Sequence, residues 1–273
     1  MRVLFLIQGY EVAASRYRVL QYLPYLSHQG VQTDVVTYPS AITDLYRFFK
    51  TLPDYDSIFL QRKRFHGILL KLLRSRAKKI IYDFDDAVMY KNSTAPVAHS
   101  NTRRKRFASM IKACDFVIAG NGFLKQQAEE YNANVIMIPT VIDQDKYSPK
   151  EYGATKRNIV IGWIGDHGSI HYLEKMRPVF EEIGRKYPDV QLEIICDTFF
   201  DCDNIPVVKR NWSSEHEVEY LKQLDIGIMP LVQDLWSEGK CGLKIIQYFG
   251  VGVPVVCTPV GINKDVVRDG HNG

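Results

Sequence analysis

Residues 236–261 read WSEGKCGLKIIQYFGVGVPVVCTPVG, and they set the fold class. The stretch divides into loop, helix, tight turn and strand. Leu243, Ile246 and Phe249 recur at helical spacing, so one face is apolar and packs inward. Gly252 is suited to end the helix, and Pro254 blocks its continuation. Val253, Val255 and Val256 then form a short buried strand. A helix running straight into an apolar strand is half of a crossover unit, the piece from which parallel sheets are assembled. The loop also carries chemistry. Glu238, Lys240 and Lys244 place charge before and within the first helical turn, and Gly239 and Gly242 allow close backbone approach. Free amides at a helix N-terminus beside two lysines form a seat for a phosphate. The competing reading is an ordinary connection with solvated lysines.

The same alternation extends over the chain. Strands are predicted at 2–7, 31–38, 56–60, 79–82, 116–119 and 135–138, with helices at 15–28, 40–51, 63–77, 102–113 and 122–131 between them. Ser15 is placed as the cap of the first helix, and Pro24 inside it should bend or divide it. After a polar, aperiodic stretch the pattern restarts: strands at 159–164, 190–196, 206–208 and 226–229, and helices at 170–187, 213–224 and 264–268. The expected organisation is an N-terminal domain over 1–140, a linker over 141–157 and a C-terminal domain over 158–273. The second half has room for about four or five strands, few for a closed domain, and is expected to be incomplete.

At 273 residues the chain has room for one large or two ordinary domains. No run of about 18 apolar residues occurs, so no transmembrane helix is expected. The five cysteines include no CxxC pair, which fits free thiols in a reducing, cytoplasmic setting. The formal net charge of +4 conceals an asymmetry: residues 1–150 sum to +9 and residues 151–273 to −5. Much of the excess lies in 62–79, RKRFHGILLKLLRSRAKK, with eight basic residues and no acid. Phe65, Leu69, Leu72 and Leu73 share a helical face there. The segment reads either as a solvated surface helix or as a peripheral contact with an anionic membrane. The basic surplus lacks aromatic interleaving or a nucleic-acid motif, and no nucleic acid is expected. GYEVAAS follows the first strand in place of GxGxxG, which argues against a dinucleotide.

Several segments together resemble the retaining glycosyltransferases of the GT-B fold, family 4, also termed glycosyl transferases group 1. NVIMIPTVIDQDKYSP over 134–149 is similar to the family's "IPNGVD…F.P" linker. DIGIMP over 225–230 is similar to its "aDv.v.PS" strand, 244–261 to its "EAMA.G.PVV" helix and strand, and VVRDGHNG over 266–273 to "iv.dg.nG". The resemblance implies an α/β fold of two Rossmann-like domains with parallel sheets facing a cleft. It implies transfer of a sugar, of hexosyltransferase type, from a nucleotide-sugar to a glycan or lipid-linked acceptor with retention, in cell-surface polysaccharide synthesis. It also implies that no metal or other cofactor is needed, because cationic side chains and a helix N-terminus carry the diphosphate charge.

The family's E-x7-E motif is altered: Gln247 stands at the second glutamate and Gly239 at the first, with Glu238 one residue off register. The family's Arg and Lys after the first C-terminal-domain strand are replaced by Gly165-Asp166-His167-Gly168. These changes are consistent with a variant branch, GKCGxKxxQY, or with loss of catalysis to leave a sugar-nucleotide or polysaccharide-binding protein. On the first reading Lys240 and Lys244 take the diphosphate, Glu238 contacts the transferred sugar, and Gln247 contacts the ribose. Gly9, Gly165, Asp166, His167 and Gly242 complete the donor side. Arg16, Arg18, Asp85, Asp86 and Asn121 lie at sheet ends or helix starts on the acceptor side. Arg16 and Arg18 read equally as surface arginines, Asp85 and Asp86 as turn or capping residues, and His167 as a turn residue. Trp163 and Trp212 are read as packing residues. His167 and His171, four apart, lack a third metal ligand.

Overall fold

The computed structural model describes residues 1–151 and 158–273, so residues 152–157 of the expected linker lie outside the described residues. The chain forms two compact units. One holds Met1–Val141 together with Asp234–Cys241; the other holds Ile142–Gln233 and Gly242–Gly273. The octapeptide 234–241, expected within the C-terminal domain, therefore groups with the N-terminal residues.

The first unit is a six-stranded sheet in the order β2-β1-β3-β4-β5-β6. Its strands are β1 (Arg2–Ile7), β2 (Gln32–Thr37), β3 (Ser57–Gln61), β4 (Ile80–Phe84), β5 (Phe116–Ala119) and β6 (Val135–Met137), every neighbouring pair parallel. The helices are α1 (Ala13–Arg18), α2 (Leu23–His28), α3 (Ile42–Thr51), α4 (Gly67–Arg76), α5 (Asn101–Ala113) and α6 (Gly122–Glu129). SIFLQ in β3 is buried throughout and RVLFLI in β1 from its second residue, as expected of inner strands covered on both faces. Phe48 stacks on Phe65, and Tyr82, Phe84 and Phe107 continue the aromatic core. The chain passes from β1 to β2 on one side and then to β3 on the other, so β1 and β3 flank a topological switch point.

Ser15 and Phe65 depart from expectation. Ser15 does not cap a helix; it lies inside α1, fully buried, and its hydroxyl donates to Gln61 Oε1 at 2.7 Å. Pro24 falls in the first turn of α2, where its missing N–H costs nothing, and the helix is divided, one of the two outcomes expected of it. Phe65 likewise precedes α4, buried, rather than riding on its face.

The second unit is a five-stranded parallel sheet in the order β11-β10-β7-β8-β9. The strands are β7 (Ile159–Ile164), β8 (Val190–Cys196), β9 (Val207–Asn211), β10 (Ile226–Met229) and β11 (Val255–Cys257). Its helices are α7 (Ile170–Glu174), α8 (Arg177–Lys186), α9 (Glu217–Gln223), α11 (Leu243–Gly250) and α12 (Asn263–Val266). The short α10 (Leu235–Glu238) belongs to the first unit. The helix expected over 170–187 breaks after Glu174, and Pro178 falls in the first turn of α8, which begins at Arg177. Here the switch point lies between β7 and β10. Gly227 on β10 is required by packing: a Cβ there would stand 2.4 Å from the Tyr248 ring. The Tyr248 hydroxyl accepts from Ile164 N at 3.1 Å and donates to Ile228 O at 3.2 Å, fixing α11 against the carboxyl ends of both strands.

Candidate functional site

In the second unit the groups converge where β7 and β10 part. Gly165, Asp166, His167 and Gly168 form the turn after β7, and Ser169 closes it by donating to Asp166 Oδ1 at 2.8 Å. The His167 N–H donates to Asp197 Oδ1 at 2.7 Å, and its Nδ1 lies 2.6 Å from Asp197 Oδ2. Asp197 follows β8, so one carboxylate cross-links two adjacent strand ends. Both side chains are open to solvent, 76% and 54% exposed. The hydrogen bond to Asp197 raises the His167 pKa, helped by Asp166, and the same bond lowers that of Asp197. Asp197 was not singled out in the sequence; its place just past a strand, the criterion that selected His167, is the signal that could have found it.

The N-terminus of α11 opens beside this turn's strand. Gly242, at φ 69°, takes the left-handed conformation that lets the chain enter the helix. Lys244 Nζ lies 5.3 Å from the ring centre of Trp163 on β7. The ammonium is thereby held over an aromatic face at the switch point. Gln247 behaves differently from expectation. It is 3% exposed, and its Nε2 donates to the Tyr147 hydroxyl at 2.9 Å. Tyr147 donates to Glu217 Oε1 at 2.8 Å, and Trp212 Nε1 to Glu217 Oε2 at 2.9 Å. The residue expected at a ribose is part of an interior chain, because it falls on the buried side of α11 with Ile245 and Tyr248.

In the first unit, acids and bases at the end of β4 neutralise one another. Arg18, expected to face an acceptor, is buried: its guanidinium donates to Asp83 at 2.5–3.0 Å and to Ile138 O and Thr140 Oγ1. Burial pushes the Asp83 carboxyl up to about 6 despite this partner. Arg62 binds both Asp85 and Asp86, and Lys240 Nζ reaches Asp86 Oδ1 at 3.0 Å. Asp85 and Asp86 are 9% and 8% exposed. They are thus the inner members of ion pairs rather than open bases for an acceptor hydroxyl. Burial works against the Arg62 charge, yet the two carboxylates raise its pKa further.

Asn121 also has a structural task. Its Oδ1 accepts from Leu124 N, capping α6, while Nδ2 donates to the carbonyls of Glu238 and Lys240 at 3.1 and 3.0 Å. Leu235, Trp236 and Cys241 pack on the same core. A Cβ at Gly239 would stand 2.6 Å from Ala87 Cβ, so glycine is required there by close packing. Lys240 and Glu238, expected on the donor side, are therefore carried by a segment fastened to the first unit. Gly9 makes the turn after β1, and Arg16 lies 5.2 Å from the Tyr17 ring centre.

A cavity of about 250 Å³ opens at the β1–β3 switch point, lined by residues that include Gln8, Tyr38, Gln61, Arg62 and Lys63. Gln61 is 1% exposed. Its Oε1 accepts from Ser15 Oγ and from Gln8 N, which fixes the orientation of the amide. Its Nε2 is buried with no hydrogen-bond partner. Such an orphan donor costs about 1–3 kcal/mol, so it calls for an explanation.

Among the described residues no group of three His, Cys, Asp or Glu side chains is arranged to hold a metal ion, and no helix is long and apolar enough to cross a membrane.

Residues 179–273 match the family model of glycosyl transferases group 1. The fold matches that of GT-B glycosyltransferases. A TarM mutant from S. aureus, in complex with Fondaparinux, alpha-GlcNAc-glycerol and UDP, is similar at a TM-score of 0.60 and 13% identity, over 84% of this chain and 47% of that one. The chain thus spans about half the length of TarM. The catalytic domain of Starch Synthase IV from Arabidopsis thaliana, bound to ADP and acarbose, reaches 0.64 at 10% identity, over 99% of this chain and 85% of that one. A putative UDP-N-acetylglucosamine 2-epimerase from Listeria monocytogenes reaches 0.57 at 11% identity, over 97% and 81%. At these identities the likeness is one of GT-B architecture. No curated protein sequence matches the chain.

Proposed function

We propose that the protein is a glycosyltransferase that moves a sugar from a nucleotide-sugar to a glycan or lipid-linked acceptor, with retention, in polysaccharide synthesis at the cytoplasmic side of the cell surface. The observation that carries this reading is the family match over 179–273, which includes the α11 N-terminus pinned at the second unit's switch point. Ligands of open parallel sheets bind outside the carboxyl ends of strands at such points. The leaving nucleoside diphosphate must be stabilised as the anomeric bond breaks, and preorganised cations and amides do this best. Lys244, the amides opening α11 and the charged form of His167 supply them; Gly242 sets the entry to the helix, and Gly165 is needed where a Cβ would stand 2.1 Å from the Trp163 ring. The helix terminus contributes only about 0.3–1 kcal/mol to an exposed anion, so the side chains dominate. Lys240 is left out of this reading, because Asp86 holds it within the first unit. No metal is required on this reading.

Thermal unfolding with UDP, GDP, ADP, dTDP and CDP tests it. One nucleotide is expected to raise the midpoint by mass action, and the matching labelled sugar to be transferred. A midpoint unmoved by all five sinks the proposal.

A second reading, a GT-B protein that binds a sugar-nucleotide without transfer, is favoured by Gly239, where Ala87 leaves no room for a sugar-contacting glutamate. Turnover with any donor excludes it. Peripheral contact of 62–79 with an anionic membrane is the smallest part of the proposal. Arg62 and Arg74 are paired to aspartates and Arg64 to Val88 O, leaving Lys71, Arg76 and Lys79 turned outward.

A further inference from the structure

The cavity at the β1–β3 switch point takes no part in the donor chemistry above, yet it has the features of a built site. We propose that it seats the oxyanion of an acceptor sugar, a carboxylate or a phosphate ester, and so defines the acceptor class of the glycosyl-transfer reading on which this inference rests. The lining decides the chemistry. Gln61 contributes a buried Nε2 with no partner, and its orientation is fixed because a flipped amide would set a donor against Gln8 N. Lys63 contributes an ammonium held 3.2 Å from the centre of the Tyr38 ring. Arg62 adds no charge of its own, since Asp85 and Asp86 neutralise it. Arg62 instead turns the chain. Its φ of 54° is rare for a side-chain-bearing residue, and such strain collects at functional sites. The wall therefore offers donors and one net positive charge, and no carboxylate lines it. A group with acceptor oxygens and negative charge is the complement of that set. At about 250 Å³ the cavity falls below the roughly 300–1,000 Å³ of drug-sized sites, room for one sugar ring and not for a chain.

The experiment is calorimetric titration of the full chain with glucuronate, glucose 6-phosphate and glucose, and of UDP in parallel. One of the two anions is expected to bind about tenfold more tightly than glucose, as one charge-assisted hydrogen bond provides. Which anion it is separates carboxylate from phosphate. Lys63→Met, at an exposed position, should abolish the preference and leave UDP affinity unchanged. Gln61→Leu should weaken the anion without restoring glucose, but it alters a buried position, so Lys63→Met is the deciding variant. Equal binding of all three sugars, no binding of any, or a preference that survives Lys63→Met overturns the proposal. A Lys63-dependent preference in a protein that binds neither UDP nor another nucleoside diphosphate would refute the glycosyltransferase reading and leave the oxyanion site standing.

Discussion

The two units use charge at their strand ends in opposite ways. At the end of β4 in the first unit, Arg18, Arg62 and Lys240 face Asp83, Asp85 and Asp86, and the sum is zero. At the end of β7 in the second, His167 and Asp197 stand in solvent and Lys244 rests on Trp163. Buried charges must be paired or they are destabilising, so the first cluster has become architecture. His167 and Asp197 are paired with each other but lie open to water, where a ligand can replace solvent. Residue type and position relative to a strand do not separate these cases; burial of the pair does.

The contrast breaks most severely at Arg18. Arg18→Met leaves Asp83 buried and unpaired, and denaturant unfolding should show a loss of about 3–5 kcal/mol. That loss should shrink in acid, where Asp83, already pushed up to about 6, takes a proton and no longer carries a buried charge. Lys244→Ala should do the reverse. Affinity for the bound nucleoside diphosphate is expected to fall about 10- to 100-fold, the scale of a hydrogen bond to a charged group, with stability lowered by about 0.5–1 kcal/mol, the scale of the lost contact with Trp163. Gln247→Leu sharpens the comparison inside the second unit. Its interior hydrogen bond predicts a loss of about 1 kcal/mol in unfolding and little change in donor KM. A raised KM at unchanged stability would return it to the ribose. The smallest effect is His167. Its cation is present below its raised pKa and lost as pH rises through it, so donor affinity should fall across that range. Asp197→Asn should move the fall to lower pH, and His167→Gln should remove it, as titrations at several pH values would show.

Much of the fold was legible in the sequence. The predicted bounds of 2–7, 116–119, 159–164, 190–196 and 226–229 match β1, β5, β7, β8 and β10, because inner parallel strands are continuous apolar runs. The start of the helix over 15–28 was misplaced because Ser15 reads as a cap, while its hydroxyl serves Gln61, 46 positions away. The site was less legible for the same reason. Asp85 and Asp86 were placed correctly at a sheet end, whereas Arg18, expected to open a helix, closes α1; the partners of all three come from distant segments that share no periodicity with them. Gln247 matched a motif position and nonetheless faces Tyr147. Gly239, which reads as room for a ligand, is room for Ala87.

The octapeptide 234–241 has one more consequence, for anyone recombining this protein. The boundary between the two units is crossed by the peptide chain three times, after Val141, Gln233 and Cys241. A chimera cut once near residue 141 would receive a foreign octapeptide against Ala87, Asn121 and Asp86. A faithful exchange of halves needs three junctions, with Leu235, Trp236 and Cys241 travelling with the N-terminal parent.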